Sequence, residues 1–286
     1  MFLPKKTLAK KINKFLQEDI GHGDITSTLL PPDTIVEAEV IVKEDGIIAG
    51  IEESLAFLQS QDFQVKPLVS DGEGVKKKTL ILRIVGNART LLSIERTLLN
   101  LLSRMSGIAT KTHSLIEKTR NAGYKTRIAC TRKVAPGLLY FDKKAVMIGG
   151  GDPHRLHLDD MILIKDNHIA IIGDIKEAIK KAQKSASFSK KIEIEVSAAE
   201  EALEATKSEA DIVMLDNFSP KKVKDTILLL EKNRLRGKVL IEASGGINEQ
   251  NILDYAATGV DIVSLGEITD SAKALDISLE IKKVKH

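Results

Sequence analysis

The stretch KIEIEVSAAEEALEATKSEADIVMLD, residues 191–216, contains one complete strand–helix–strand unit. Its two ends, 191–196 and 211–216, are short runs rich in Ile and Val, which is typical of strands. Between them, residues 198–207 follow the spacing of an amphipathic helix. Because strands joined by helices usually lie parallel, this unit predicts a parallel sheet that helices cover on both faces.

The same alternation extends outward, from about residue 125 to residue 266. Four more strand-like segments occur at 127–130, 161–165, 238–243 and 261–266, and further helical segments at 174–184, 219–231 and 248–257. Six countable strands are too few for an eight-stranded barrel. We therefore predict an incomplete parallel α/β barrel of six or seven strands, with a doubly wound open sheet as the alternative.

The first 110 residues follow a different pattern. Residues 35–43 and 80–85 are strand-like, whereas 91–105 carries apolar residues at helical spacing. Strands followed by a long helix indicate an α+β domain. We accordingly assign residues 1–109 to an N-terminal α+β domain and 110–267 to the barrel. The C-terminal segment 268–286 is assigned to neither domain, and it can pack back on the N-terminal domain.

Composition excludes several classes of protein. The net charge of +3 and the 3% of aromatic residues argue against a nucleic-acid-binding surface. No apolar run is long enough to span a bilayer, and the first residues lack the apolar core of a signal peptide. Cys130 is the only cysteine, so no internal disulfide can form, and we expect a cytoplasmic location.

Polar residues follow nearly every strand of the barrel region at its carboxyl end. Because these ends meet at one face of a βα barrel, we predict that they form a single site. The residues concerned are Thr131, Arg132, Lys133, Lys165, Asp166, Asn167, His168, Glu195, Asp216, Asn217, Ser244, Gly245, Gly246 and Gly266.

The predicted site is rich in cations. Arg132, Lys133, Arg155 and Lys165 stand there with His154 beside them, and such a cluster requires a polyanionic ligand. Gly245-Gly246 and Gly266 leave room for backbone N–H groups to approach a phosphate, although turns also need glycine.

Two carboxylates, Glu195 and Asp216, belong to the same site. They are expected either to pair with cations or to hold sugar hydroxyls or a Mg²⁺ that travels with a diphosphate. Glu193 lies two residues before Glu195 on the same strand face, so we expect it deeper in the barrel in a structural role.

Other polar residues leave alternatives open. Gly149-Gly150-Gly151 precedes His154 and Arg155 and is interpreted as a binding loop. Arg96, at the edge of a helical stripe, either forms an ion pair or reaches a site on another subunit. The spacing of His154, Asp166 and His168 matches no common metal motif, so we predict no metal held by the protein alone. Cys130 is interpreted as a buried strand cysteine.

Motifs along almost the whole chain resemble the quinolinate phosphoribosyltransferases, also called carboxylating nicotinate-nucleotide pyrophosphorylases. They are EDIGHGDITS (18–27), ERTLLNLLSRMSGIAT (95–110), TRKVAPGL (131–138), GGGDPHRLHLDDMILIKDNH (149–168), IEIEV (192–196), IVMLDN (212–217), EASGGI (242–247) and TGVDIVSLGEITDSAKALDIS (258–278).

The resemblance implies an N-terminal open-faced sandwich, an incomplete α/β barrel, and a homodimer or a hexamer built as a trimer of dimers. It implies transfer of phosphoribosyl from phosphoribosyl pyrophosphate to quinolinate, with Mg²⁺ bound alongside the diphosphate. Nicotinate mononucleotide, CO₂ and pyrophosphate are the products, in the biosynthesis of NAD.

The resemblance also implies roles for individual residues. The quinolinate site is implied for Arg96, contributed by a neighbouring subunit, and for Arg132, His154, Arg155 and Lys165, with Thr131 and Lys133 beside them. The phosphoribosyl donor is implied to contact Glu195, Asp216, Ser244, Gly245, Gly246, Leu265, Gly266 and Glu267. Catalysis is assigned to Lys133, Lys165, Glu195 and Asp216.

Three positions depart from the family's usual pattern. Cys130 stands where Asp is usual, Val134 where Thr is usual, and Glu267 where a small or hydroxyl residue is common. None removes a charged ligand residue. Two alternatives remain: a related enzyme that acts on another anionic ring, and a phosphate-binding protein without catalysis.

Overall fold

The computed structural model describes residues 3–285, and the chain divides into two compact units. The first comprises the residues up to 113, residues 140–150 and those from 272 onward; the second comprises residues 114–139 and 151–271. This division gives residues 140–150 to the first unit, which the sequence-based boundaries at 109/110 and 267/268 did not anticipate.

The first unit contains a four-stranded antiparallel sheet in the order β12-β1-β5-β3. Its strands are β1 (Ile35–Val42), β3 (Gln64–Pro67), β5 (Leu80–Asn87) and β12 (Ile277–Lys285), and a small pair is formed by β2 (Gly46–Ile47) and β4 (Gly74–Val75). Its helices are α1 (Lys5–Ile20), α2 (Ile51–Gln59), most of α4 (Leu139–Ile148) and the first part of α3 (Ala88–Asn121). A short 3₁₀ turn spans Thr26–Leu29.

The long helix α3 exceeds the prediction of 91–105 by sixteen residues at its C-terminal end. Gly107 lies inside this helix, and a Cβ there would lie 2.1 Å from the carbonyl oxygen of Lys273. The glycine therefore permits close packing inside a continuous helix, and the apolar stripe continues through Ile108 and Leu115. Between residues 3 and 285, no helix combines the length and apolar character needed to cross a membrane.

The second unit contains six parallel strands in the order β6-β11-β10-β9-β8-β7. They are β6 (Arg127–Cys130), β7 (Ile162–Ile164), β8 (Ile192–Val196), β9 (Ile212–Asp216), β10 (Leu240–Ser244) and β11 (Ile262–Leu265). The helices are α5 (Asp166–Ile172), α6 (Ile175–Ser185), α7 (Ala199–Lys207), α8 (Pro220–Lys232), α9 (Ile252–Ala256) and α10 (Glu267–Asp270), with a 3₁₀ turn at Arg236–Lys238.

The strand order confirms the incomplete barrel. Strands β7 to β11 pair in chain order, and the first strand, β6, pairs with the last, β11. A doubly wound sheet would reverse its order at a switch point, so that alternative is wrong. One helix is shorter than its predicted range, 248–257: Asn248 and Asn251 bind the backbone of this segment and hold residues 248–251 in turns, so that α9 begins only at Ile252.

Candidate active site

A cavity of about 570 Å³ lies at the carboxyl ends of the strands of the second unit. Most of the residues predicted for the site line it together: Thr131, Arg132, Lys133, His154, Arg155, Lys165, Glu195, Asp216, Ser244, Gly245, Gly246 and Gly266. Because parallel strands present their carboxyl ends on one side of the sheet, residues 135 positions apart in the chain share this cavity.

Six residues of the predicted set do not line the cavity: Asp166, Asn167 and His168 at the start of α5, and Leu265, Glu267 and Arg96. Leu265 is a core side chain, 1% exposed, in the strand β11. The carboxylate of Glu267 accepts the backbone N–H of Glu249 at 2.9 Å. Arg96 belongs to the first unit, where it is exposed on α3 and forms no ion pair among residues 3–285.

Several residues that line the cavity were not predicted from the sequence, above all two that lie inside strands. Glu242 precedes Ser244 by two positions, and Ser264 precedes Gly266 by two positions, so each member of a pair faces the same side of its strand. The same alternation served to place Glu193 below Glu195, and it could have identified this second pair. The remaining lining residues that were not predicted are Cys130, Leu163, Met214 and Ile247; Asn217, which was expected at a strand end, also lines the cavity.

Arg155 is a nearly buried cation without a partner. Its side chain is 9% exposed, and its guanidinium forms neither an ion pair nor a hydrogen bond within the described chain. Burial lowers the pKa of Arg155, and the nearby charge of Arg132 lowers it further. Arg132 and Lys133 are exposed at the cavity, and they too have no ion-pair partner in residues 3–285.

The fourth cation is paired. Lys165 forms an ion pair with Glu195, whose side chain is 15% exposed. Asp216 is exposed and accepts a hydrogen bond from the side chain of Asn217 at 2.8 Å. Each carboxylate therefore retains lone pairs that can accept hydrogen bonds from a ligand.

A buried cluster of His154, Glu193 and Glu242 forms the floor of the cavity. His154 Nε2 lies 3.2 Å from Glu242 Oε2 and 3.3 Å from Glu193 Oε2, and both carboxylates are fully buried. This confirms the deeper position expected for Glu193. The Arg155 backbone N–H donates to His154 Nδ1 at 2.8 Å, so the ring carries its own N–H on Nε2, facing the carboxylates.

The electrostatics of this cluster favour retention of a proton. Burial lowers the pKa of His154, but the close contacts with the carboxylates of Glu193 and Glu242 outweigh burial and shift the pKa upward. Burial raises the pKa of Glu193. Within residues 3–285, neither oxygen of Glu193 accepts a hydrogen bond of good geometry, which favours its neutral form. Because Nδ1 of His154 is already an acceptor, Glu193 is the better holder of the additional proton.

The glycines that were predicted for the site have different structural roles. Gly245 has φ +91°, and a Cβ there would lie 2.3 Å from Asn217 Oδ1, so this glycine is required by the turn itself. Gly246 has φ +63° but meets nothing within 4 Å, which leaves its backbone open to a ligand. Gly149 belongs to the first unit, where a Cβ would lie 2.5 Å from the Ala109 carbonyl oxygen. The binding-loop interpretation thus does not extend to Gly149, because packing explains it.

Two residues of the motifs have local structural roles. His168 Nδ1 accepts the backbone N–H of Lys165 at 2.9 Å, at the start of α5. Cys130 is completely buried at the end of β6, with Sγ 3.5 Å from the Pro153 carbonyl oxygen. The interpretation of Cys130 as a buried strand cysteine is confirmed.

Two groups of side chains in the described chain have ligand atoms close enough to hold a metal ion. They are the cluster of His154, Glu193 and Glu242, and an exposed group of His157, Asp159 and Asp160. Neither group contains Glu195 or Asp216.

The fold and the cavity define the class as an α/β barrel protein with a cation-rich cavity at its strand ends. Residues 24–106 match the family "Quinolinate phosphoribosyl transferase, N-terminal domain", and residues 108–280 match its C-terminal domain. The chain therefore belongs to the quinolinate phosphoribosyl transferase family.

Individual relatives extend over nearly the whole chain. A probable nicotinate-nucleotide pyrophosphorylase (carboxylating) of Methanothermobacter thermautotrophicus is 44% identical, over 96% of this chain and 99% of its own. The nicotinate-nucleotide pyrophosphorylase (carboxylating) of Rattus norvegicus is 35% identical, over 98% and 92%. The structure of the nicotinate-nucleotide pyrophosphorylase from Francisella tularensis is 38% identical with a TM-score of 0.90, and the match covers 98% of each chain.

Proposed function

We propose that the protein transfers phosphoribosyl from phosphoribosyl pyrophosphate to quinolinate and releases CO₂ and pyrophosphate, which yields nicotinate mononucleotide for the biosynthesis of NAD. The observation that carries this proposal is the unpaired guanidinium of Arg155 beside Arg132 in an enclosed cavity. A buried cation without a partner is costly, and a ligand with two carboxylates would compensate both arginines.

Quinolinate binding is assigned to the cationic side of the cavity. Arg132 and Arg155 hold the two ring carboxylates, while His154 and Lys165 fix the orientation of the ring. Thr131 and Lys133 lie beside them on the segment after β6. Holding the ring nitrogen in line with the ribose carbon can contribute about 7–11 kcal/mol of barrier lowering.

The phosphoribosyl donor is assigned to the ends of strands β8 to β11. Glu195 and Asp216 accept hydrogen bonds from ribose hydroxyls and favour the cationic, oxocarbenium-like ribose. Ser244, Gly245, Gly246 and Gly266 receive the phosphate groups. Leu265 and Glu267 act through the backbone around Gly266, since neither side chain lines the cavity.

Mg²⁺ is proposed to enter with the diphosphate. Glu195 and Asp216 would hold it together with phosphate oxygens, and when bound it neutralises charge on the departing pyrophosphate. Lys133 and Lys165 supply further positive charge at the same side. After the ring nitrogen is ribosylated, the adjacent carboxylate leaves as CO₂ and its electron pair stays on the ring carbon, where the pyridinium charge stabilises it. A proton from water then completes the C–H bond, so the reaction requires no general base.

The proposal extends to the assembly. We infer a homodimer, or a hexamer built from three dimers, in which Arg96 enters the site of the neighbouring subunit. Its exposure on α3 and its lack of an ion pair among the described residues support this assignment.

One assay tests the reaction. Purified protein is incubated with Mg²⁺, phosphoribosyl pyrophosphate and either quinolinate, nicotinate or no base, and nucleotide and CO₂ are measured. We expect nicotinate mononucleotide from quinolinate with one CO₂ per nucleotide. Faster nucleotide formation from nicotinate would identify a related enzyme with another base. Binding of the donor without any nucleotide would identify a phosphate-binding protein.

A further inference from the structure

Among residues 3–285, Glu242 is a fully buried carboxylate that contacts both sides of the cavity. Its Oε2 lies 3.2 Å from His154 Nε2, and its Oε1 accepts the hydroxyl of Ser264 at 2.5 Å. The Ser264 hydroxyl oxygen lies 2.9 Å from that of Ser244. A continuous chain of hydrogen bonds therefore joins His154 to Ser244 through Glu242.

The sheet fixes the position of Glu242. Strand β10 lies between β9 and β11, and in the register of this sheet Glu242 stands opposite Met214 and Ile262. Ser244 stands opposite Ser264 in the same register, which brings the two hydroxyls together. A side chain anchored in a central strand has little freedom, so it can hold other groups in place.

On one side, Glu242 determines the orientation of the His154 ring. His154 has φ +52°, a conformation that a non-glycine residue adopts only when neighbouring contacts hold it. Its backbone N–H donates to Asp152 Oδ1 at 2.7 Å, and its Nδ1 accepts the N–H of Arg155. The ring therefore orients the backbone that carries the unpaired guanidinium of Arg155.

On the other side, Glu242 determines the hydroxyl orientation of Ser244. Ser264 has one hydroxyl proton, and the short contact to a carboxylate takes it. The oxygen of Ser264 is then left to accept the proton of Ser244. The hydroxyl next to Gly245 and Gly246 is thus fixed by a carboxylate two residues earlier in its own strand.

We propose that Glu242 is a positioning residue that aligns His154, and through it Arg155, with Ser244. It would thereby couple the two substrate subsites, an inference that rests on the proposed function. Glu242 acts through His154 on the quinolinate side and through Ser264 on the donor side.

The two branches can be separated by substitution. Glu242→Gln keeps the length of the side chain but replaces one carboxylate oxygen with an NH₂ group. If the NH₂ group faces Ser264, the hydroxyl of Ser264 loses its acceptor. If it faces His154, two N–H groups oppose each other. We expect the dissociation constants of quinolinate and of phosphoribosyl pyrophosphate both to rise roughly tenfold or more, as for a lost charge-assisted hydrogen bond. Ser264→Ala breaks only the donor branch, so only the dissociation constant of phosphoribosyl pyrophosphate should rise.

A matched control is available in the first unit. Glu53 is 1% exposed and is bound by the hydroxyl of Tyr140 at 3.0 Å and by Lys144, so it is also a buried carboxylate between a hydroxyl and a cation. Glu53→Gln should lower the free energy of unfolding while leaving both dissociation constants near those of the wild type. In a His154→Ala background, Glu242→Gln should add nothing to the loss of quinolinate binding.

An NMR measurement keeps this inference separate from the proposed function. The nitrogen shifts of the His154 ring, assigned through His154→Ala, report which ring nitrogen carries the proton. We expect Nε2–H in the wild type and a changed pattern in Glu242→Gln, whether or not quinolinate is the substrate. Unchanged His154 shifts, or a Glu242→Gln protein that differs from wild type only in stability, would overturn the positioning role. If the wild type binds one equivalent of a transition metal and Glu242→Gln does not, the cluster is a metal site and the positioning role is wrong.

Discussion

Among single residues, Arg155 illustrates how an isolated charge can indicate a ligand. The cluster of cations at this cavity is incompletely neutralised: Lys165 has Glu195, but Arg132 and Arg155 have no ion pair in the described chain. Folding that leaves a guanidinium nearly buried and unpaired lowers stability in the empty protein. Binding of an anion removes this penalty, so a large share of the ligand's affinity should depend on these two side chains.

Replacement of either arginine should therefore weaken quinolinate binding selectively. Arg132→Ala and Arg155→Ala should each cost about 1.5–3 kcal/mol of quinolinate binding free energy, the range for charge-assisted hydrogen bonds. Calorimetric titration with quinolinate and, separately, with phosphoribosyl pyrophosphate measures both effects, and the donor should be affected less. Arg120→Ala is the control, because Arg120 is an exposed arginine on α3 in the same unit. Wild-type quinolinate affinity in both variants would contradict the assignment.

Glu195 and Asp216 lead to a second prediction at this scale. Neither belongs to a three-ligand group among the described residues, so a cation there would depend on oxygens from the diphosphate. We expect activity to disappear after chelator treatment and to return when Mg²⁺ is added with phosphoribosyl pyrophosphate. Full turnover in a metal-free, chelator-treated mixture would show that the Mg²⁺ assignment is wrong.

Among the elements, α4 shows why a sequence pattern can fail. Its sequence LYFDKKAVMI carries three charges at its centre, and no amphipathic stripe indicates a helix there. All three charged side chains are nevertheless buried: Asp142 binds Arg104 with two hydrogen bonds of 2.7 Å, and Lys144 pairs with Glu52 and Glu53. The residues that pair with these buried charges lie on α2 and α3, far from α4 in the sequence. No rule based on local spacing can therefore predict the pairing.

Because of the Tyr140 hydroxyl on α4, we predict that the free energy of unfolding falls in alkali. Burial, followed by the charge of Glu53, raises the pKa of Tyr140 from 10.0 to about 12. Between these values an unfolded tyrosine loses its proton while the folded one retains it, so the free energy of unfolding should fall as pH rises through this window. Urea unfolding at about pH 9 and about pH 11 should show a smaller fall in Tyr140→Phe. Tyr124→Phe, in the second unit, is the control; an unchanged fall in Tyr140→Phe would contradict the prediction.

The six strands of the second unit were predictable from the sequence for a physical reason. Each strand of the second unit is buried on both faces and bounded by polar residues, so its limits are visible in the sequence within two residues. The same limits revealed the strand-end side chains of the cavity. Glu242 was missed because it lies inside a strand, where a charged residue is expected only with partners that the fold supplies. The extent of α3 was missed because the role of Gly107 depends on Lys273, far away in the sequence.

For the whole molecule, the winding of the sheet explains how one cavity collects its residues. Because β6 pairs with β11, the segments after the first and the last strand are neighbours, and Lys133 Cδ lies 3.1 Å from the place of a Cβ on Gly266. Every lining residue belongs to the second unit. Arg96 is the exception among the residues implied by the family resemblance, because it lies in the first unit on α3.

A subunit-complementation experiment decides whether Arg96 serves a neighbouring subunit. Inactive Arg96→Ala protein is mixed with inactive Lys165→Ala protein under conditions that allow subunits to exchange. If Arg96 acts across a dimer interface, each mixed dimer has one site with both lesions and one with neither. Random mixing makes about half the dimers mixed, so activity should recover to about a quarter of wild type in a symmetric dimer. Mass spectrometry verifies the exchange, and exchange without recovery would assign Arg96 to its own subunit or to a structural role.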